Sequence, residues 1–116
     1  MGWLEDKYGG GETEVYYFND PDCTFLLNRE ACLEKVDVNN LDKTHIKVGD
    51  VPFADPEEVF MKMQGEMWSP RGEARADIRA KGLKHTSMSM GDIVCLPDGR
   101  CLITDAVGFV EVGRRK

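Results

Sequence analysis

The residues of this chain with the most specific chemistry are four cysteines and two histidines: Cys23, Cys32, Cys95, Cys101, His45 and His85. A zinc site needs four soft or imidazole ligands converging on one point. No two of these six sit at the short spacing that preassembles a ligand pair, so neither a metal nor any other cofactor is expected. Nucleophilic catalysis requires a cysteine or serine within reach of a histidine. His85, Thr86 and Ser87 are adjacent, but neighbours along an extended chain point to opposite faces, and adjacency alone carries no catalytic signal. Carboxylates are so numerous, at 21, that any two can be paired on paper. The chain is therefore not read as an enzyme, although a small enzyme with a site near His85 stands as a third reading.

Anion binding is the other chemistry within reach. Arg71, Arg75, Arg79, Lys81 and Lys84 precede His85-Thr86-Ser87-Met88-Ser89-Met90-Gly91-Asp92. Arg71, Arg75, Arg79, His85, Thr86, Ser87 and Ser89 could together offer guanidinium, imidazole and hydroxyl groups to a phosphate or carboxylate. The competing and favoured reading is structural: the hydroxyls satisfy backbone groups at an irregular strand entry, and Met88 and Met90 enter the core. Large amphipathic rings concentrate binding energy. Of the two tryptophans, Trp68 is expected in the core and Trp3 is the candidate anchor for a partner.

Charge narrows the partner class. The formal net charge of -6 disfavours general nucleic-acid binding, which depends on cations displacing counterions from phosphates. The charge is uneven. Residues 1–68 hold 6 basic and 15 acidic residues, whereas residues 69–116 hold 9 basic and 6 acidic, so the first part carries -9 and the second +3. Net acidity consequently does not exclude an anion-binding patch after Pro70. No run approaches the ~20 apolar residues that span a bilayer, and the start of the chain lacks a basic segment followed by an apolar one. The expected compartment is the cytoplasm, with reduced thiols, and no membrane association is expected.

At 116 residues, 41% hydrophobic and 31% charged, the chain can bury the core of one domain. Residues 1–12, ending in three glycines, are expected to be a flexible leader, residues 13–113 one α+β domain, and residues 114–116 a basic tail. Glu14-Val15-Tyr16-Tyr17-Phe18 suits a strand, followed by the turn formers Asn19-Asp20-Pro21-Asp22. Phe25-Leu26-Leu27 suggests a short strand, Arg29 to Glu34 a helical turn, and Thr44 to Val48 another strand. The main helix is expected over about 55–68. Asp55 caps it, Pro56 suits its first turn, and Glu57 and Glu58 favour its positive end. Phe60, Met63 and Met67 mark its inner stripe, and Ser69-Pro70 stops it.

Leu96-Pro97-Asp98-Gly99 has the chemistry of a type I turn closed by a glycine bulge. That register sets Leu96 opposite Arg100 and Cys95 opposite Cys101, an arrangement that would admit a cross-strand disulfide in an oxidising compartment. The return strand follows, then Phe109 to Val112 as a last strand. The expected fold is α+β: a small antiparallel sheet with a C-terminal meander packed against one main helix.

The segment 85–94 and the closing Gly108-Phe109-Val110-Glu111-Val112 resemble small accessory proteins of phages and plasmids and the related YodL-like domains. In those, a segment of the type S-M-S-V-G-D-V-V precedes a hairpin and a closing G-F strand. Glu57-Glu58-Val59-Phe60 is similar too, and the likeness extends over about Val15 to Val112, with Met90 where valine is more usual. The resemblance implies origin and architecture rather than a catalytic role. It suggests a non-enzymatic protein-interaction module that modulates a host or viral protein. The alternative is a binding module for a small anion or nucleic-acid end, built on the basic segment after Pro70. Exposed strand edges in a small sheet also leave a homodimer open.

Overall fold

The computed structural model describes residues 3–19 and 29–115. Its centre is one five-stranded antiparallel sheet. The strands are β1 (Thr13–Phe18), β2 (His45–Val51), β3 (Ile93–Cys95), β4 (Arg100–Thr104) and β5 (Phe109–Arg114), in the spatial order β2-β1-β3-β4-β5. The helices are α1 (Trp3–Tyr8), α2 (Arg29–Lys35), α3 (Pro56–Lys62), α4 (Gly65–Trp68) and α5 (Arg75–Ala80), with a 3-10 turn at Leu41–Lys43. The expected α+β class and antiparallel sheet are present. The strand expected at Phe25-Leu26-Leu27 lies outside the described residues.

Strand alternation builds two cores, one on each face of the sheet. In β1 the buried Thr13, Val15 and Tyr17 alternate with the half-buried Glu14, Tyr16 and Phe18, the period-2 pattern of a sheet covered on both sides. Val15 and Tyr17 join Val48, Val94 and Leu102 in the larger cluster, which the helices close with Leu4, Val59, Met63, Trp68 and Ile78. Tyr16 and Phe18 face the smaller cluster of Ile93, Cys95, Cys101 and Ile103, covered by Cys32 of α2 and by Val38 and Leu41. The sheet is thus packed on both faces, with α3 and the other helices of the larger cluster on one and α2 on the other.

The C-terminal hairpin follows its turn chemistry closely. Gly99 N–H donates to the Leu96 carbonyl at 3.0 Å, and Leu96 N–H donates to the Arg100 carbonyl at 2.8 Å. Gly99 takes φ of 99°, the left-handed region that costs glycine nothing. Cys95 is directly opposite Cys101, as the turn requires.

Three expectations are corrected. The main helix is interrupted: α3 begins as its cap dictates, with Glu57 N–H donating to Asp55 Oδ1 at 3.0 Å, but ends at Lys62, and α4 restarts at Gly65. Gly65 N–H donates to Ser87 Oγ at 2.7 Å instead of continuing the helical ladder. Met67, expected on the inner stripe, is accordingly exposed. Within the expected flexible leader, Trp3–Tyr8 form α1, with Leu4 only 2% exposed. Its Trp3 N–H donates to Asp77 Oδ2 at 2.7 Å, and Glu5 Oε2 accepts from Asp50 N–H at 2.9 Å. Within the expected basic tail, Arg114 belongs to β5 and Arg115 is clamped. Arg115 Nη1 donates to Glu14 Oε1 at 2.7 Å, Nη2 to Tyr16 Oη at 2.8 Å and Nε to the Val38 carbonyl at 3.0 Å.

Candidate functional site

The helix α5 and the chain that leaves it create a basic cleft. Gly82 ends the helical turn, and Leu83 N–H donates back to the Ile78 carbonyl at 3.0 Å, which folds segment 83–86 against the helix. Ile78 and Leu83, 3% and 4% exposed, fasten both sides to the larger core. Between them lies a cleft of about 390 Å³ lined by Arg75, Ile78, Arg79, Leu83, Lys84 and Thr86. Arg75 and Arg79 are four residues apart, so they project from the same side of the helix. Among the described residues, none of Arg75, Arg79 and Lys84 forms an ion pair.

The remaining candidates from the sequence go elsewhere. Arg71 is exposed and does not line the cleft; its backbone N–H donates to Glu73 Oε1 at 2.6 Å. Ser87 spends its hydroxyl on Gly65, as described. Ser89 donates its backbone N–H to Asp92 Oδ2 at 2.8 Å. Met88 is buried and Met90 packs against the smaller cluster. Ser87 thus serves a backbone group and Met88 enters the core, whereas the Ser89 hydroxyl lies 3.5 Å from the Asp92 carboxylate and not at a backbone group. Trp3, the expected partner anchor, is half-buried against the protein's own core, its Nε1–H donating to the Trp68 carbonyl at 2.6 Å.

His85 turns away from the cleft toward a buried carboxylate. Asp92 is 0% exposed. Its Oδ1 accepts from Phe18 N–H at 2.8 Å, and its Oδ2 accepts from Ser89 N–H at 2.8 Å and from His85 Nε2–H at 3.0 Å. The imidazole stacks on Tyr17 with ring centroids 4.6 Å apart. The hydrogen bond to Asp92 raises the His85 pKa above its ordinary value, against the opposing effect of burial. Burial, reinforced by the negative charge of Asp92, pushes the Tyr17 phenol well up. A carboxylate that orients an imidazole is half of a nucleophile-activating pair. No described hydroxyl or thiol bonds the other ring nitrogen. Asp92 was not among the site candidates, because its role depends on β1, which lies far away in sequence.

His45, one of the possible metal ligands, is buried and structural: its ring bridges Thr44 Oγ1 at 2.7 Å and the Gly91 carbonyl at 2.7 Å. Cys32 is disulfide-bonded, a departure from the expectation of reduced thiols, whereas Cys95 and Cys101 are free and buried. Among the described residues no three His, Cys, Asp or Glu side chains are grouped to hold a metal ion, and no helix is long and apolar enough to cross a membrane.

Two further clefts flank the sheet. One, of about 510 Å³, lies beside Arg115, Tyr16 and the 38–42 loop. The other, of about 340 Å³, is framed by Phe60 and Met61 of α3 and by Thr104 and Phe109. The cations of the first are already matched: Arg115 holds Glu14, which also meets Lys47 at 3.8 Å. Burial works to raise the Glu14 pKa, but the hydrogen bonds from Tyr16 and Arg115 and the nearby positive charges outweigh it and hold the carboxyl low. Of these three clefts, the one beside α5 is lined by several cations that form no ion pair among the described residues. Comparison of the chain with known protein families, with curated proteins and with solved structures gives no match.

Proposed function

We propose that this protein is a non-enzymatic binding module that takes an anionic group, a phosphate or carboxylate carried by a partner, in the cleft between α5 and segment 83–86. One observation carries the reading: Arg75, Arg79 and Lys84 line a single cleft, and among the described residues no carboxylate pairs with them. Cations so placed repel one another and gain from a shared anion, and guanidinium groups give such a contact planar, two-pronged geometry. Thr86 adds a hydroxyl at the rim. The net charge of -6 favours a discrete anionic group over an extended phosphate backbone.

Within that reading, the setting we favour is the one suggested by the resemblance of segment 85–94: an accessory protein of the cytoplasm that modulates a host or viral protein by gripping an acidic or phosphorylated side chain. The test is a titration of the protein with inorganic phosphate and, separately, acetate, followed by amide chemical shifts. Saturable shifts confined to residues 75–86 are expected. Arg75→Glu combined with Arg79→Glu should weaken binding by more than tenfold, or ~1.4 kcal/mol. Equal binding by this variant would rule the cleft out.

A further inference from the structure

Cys95 and Cys101 occupy a position whose geometry has a chemical consequence. They are a directly opposed pair on β3 and β4. The neighbouring pair, Leu96 and Arg100, exchanges a ladder hydrogen bond of 2.8 Å. Alternation then makes the cysteine pair a non-hydrogen-bonded one, in which side chains approach most closely. Both thiols are free, 2% and 0% exposed, and project into the smaller core cluster. The Cys101 thiol donates to the Gly99 carbonyl at 3.8 Å, which holds it at the turn end of the pair. The turn that joins the strands holds the pair in register, with Gly99 N–H bonded to Leu96 and Arg115 N–H to Gly99.

The surroundings divide the roles of the two sulfurs. The neighbouring Cys101 thiol, followed by burial, pushes the Cys95 thiol up. The neighbouring Cys95 thiol holds the Cys101 thiol below its ordinary value against the opposing effect of burial, and the positive charge of Arg115 adds to the lowering. A lowered thiol is the nucleophile of such a pair. On the β5 side Cys101 faces Gly113, which has no side chain, and beyond it lies Val38. The exposed Pro97 and Asp98 lie next to the pair, at the tip of the hairpin.

We propose that Cys95 and Cys101 form a modification site, a dithiol that hydrogen peroxide converts to a cross-strand disulfide. The Cys101 thiolate attacks one peroxide oxygen and the O–O bond breaks. The departing hydroxide takes the proton from Cys95 to become water, which leaves a sulfenic acid on Cys101. The Cys95 thiolate then attacks that sulfur, the S–O bond breaks, and hydroxide leaves and is protonated to a second water. Two thiols are oxidised to one disulfide, and one peroxide is reduced to two waters. The reaction closes a small ring across the hairpin without moving the strands, because the register already satisfies the approach a disulfide requires.

The test uses the unaltered protein. It is treated with hydrogen peroxide in stoichiometric excess, quenched, alkylated and digested without reduction for mass spectrometry. The expected product is a peptide carrying residues 95 and 101 that has lost two hydrogens, resists alkylation and recovers both thiols with dithiothreitol. Alkylation of both thiols after peroxide treatment, or accumulation of sulfinic acid at Cys101 without the linked peptide, would overturn the proposal. In a second arm, Cys95→Ser removes the resolving thiol. Sulfenic acid on Cys101, trapped by dimedone, should then accumulate at least several-fold over the unaltered protein, and equal trapping in both would overturn the assigned order of attack.

Discussion

Replacing Asp92 with asparagine tests whether one buried carboxylate holds together β1, the serine-rich segment and His85. The change keeps the volume but leaves one acceptor oxygen where there were two. Oδ1 serves Phe18 N–H, and Oδ2 serves Ser89 N–H and His85. Whichever way the amide turns, one backbone N–H meets an NH₂ group and stays unsatisfied, at a cost of about 1–3 kcal/mol. Loss of the charge-assisted bond to His85 adds about 1 kcal/mol, less than the ~1.5–3 kcal/mol of a fully buried bond of this kind, because a third of that side chain is exposed. The expected destabilisation is about 3 kcal/mol in urea unfolding followed by tryptophan fluorescence.

Its pH dependence has a definite sign. The folded state raises the His85 pKa above 6.5. The ionic contribution is therefore complete below that ordinary value and is lost as pH rises through the higher folded value. The gap between the wild-type protein and Asp92→Asn should be widest near pH ~6 and narrow by pH ~8, within the range where histidine titrates. His85→Gln should remove that narrowing while retaining a pH-independent loss of stacking on Tyr17. A loss below about 0.5 kcal/mol, the usual range for surface substitutions, or an identical gap at both pH values, would refute the reasoning.

Two other perturbations address the ends of the described chain. Leu4→Ala should cost about 2–4 kcal/mol in the same unfolding assay, the range for emptying a buried leucine site; an effect under about 0.5 kcal/mol would show that α1 does not contribute to the core. Arg115→Met should destabilise by about 1–3 kcal/mol through the loss of its three hydrogen bonds. A double-mutant cycle with Glu14→Gln should show coupling of about 1 kcal/mol, and simple additivity would contradict the clamp.

Features written in adjacent residues were legible in the sequence; those that depend on distant partners were not. Leu96-Pro97-Asp98-Gly99 specifies its own turn, and with it the opposition of Cys95 and Cys101. Asp55 and Pro56 likewise specify where α3 begins. The end of α3 was hidden, because Gly65 leaves the helical ladder for Ser87, a hydroxyl 22 residues away. The helix α1 was hidden for the same reason: six residues are too few to hold a helix alone, and its partners are Asp50, Trp68 and Asp77. For the candidate cleft, the i,i+4 spacing of Arg75 and Arg79 was visible. The turn at Gly82 that brings Lys84 and Thr86 alongside them, and diverts His85 toward Asp92, was not.

The place of β1 inside the sheet bears on how the molecule assembles during synthesis. The β3–β4–β5 meander joins neighbours in sequence, so it closes short loops and is poised to form quickly. β1 pairs with β2 on one edge and with β3 on the other, and β3 emerges from the ribosome long after it. Until then Val15 and Tyr17 have half a sheet to rest on, and Phe18 N–H has no carboxylate to bond. The joint between Phe18 and Asp92 consequently forms only after most of the chain has been made. Variants that weaken it should be felt first as a lower yield of folded protein during translation, before any loss is seen in the protein that has already matured.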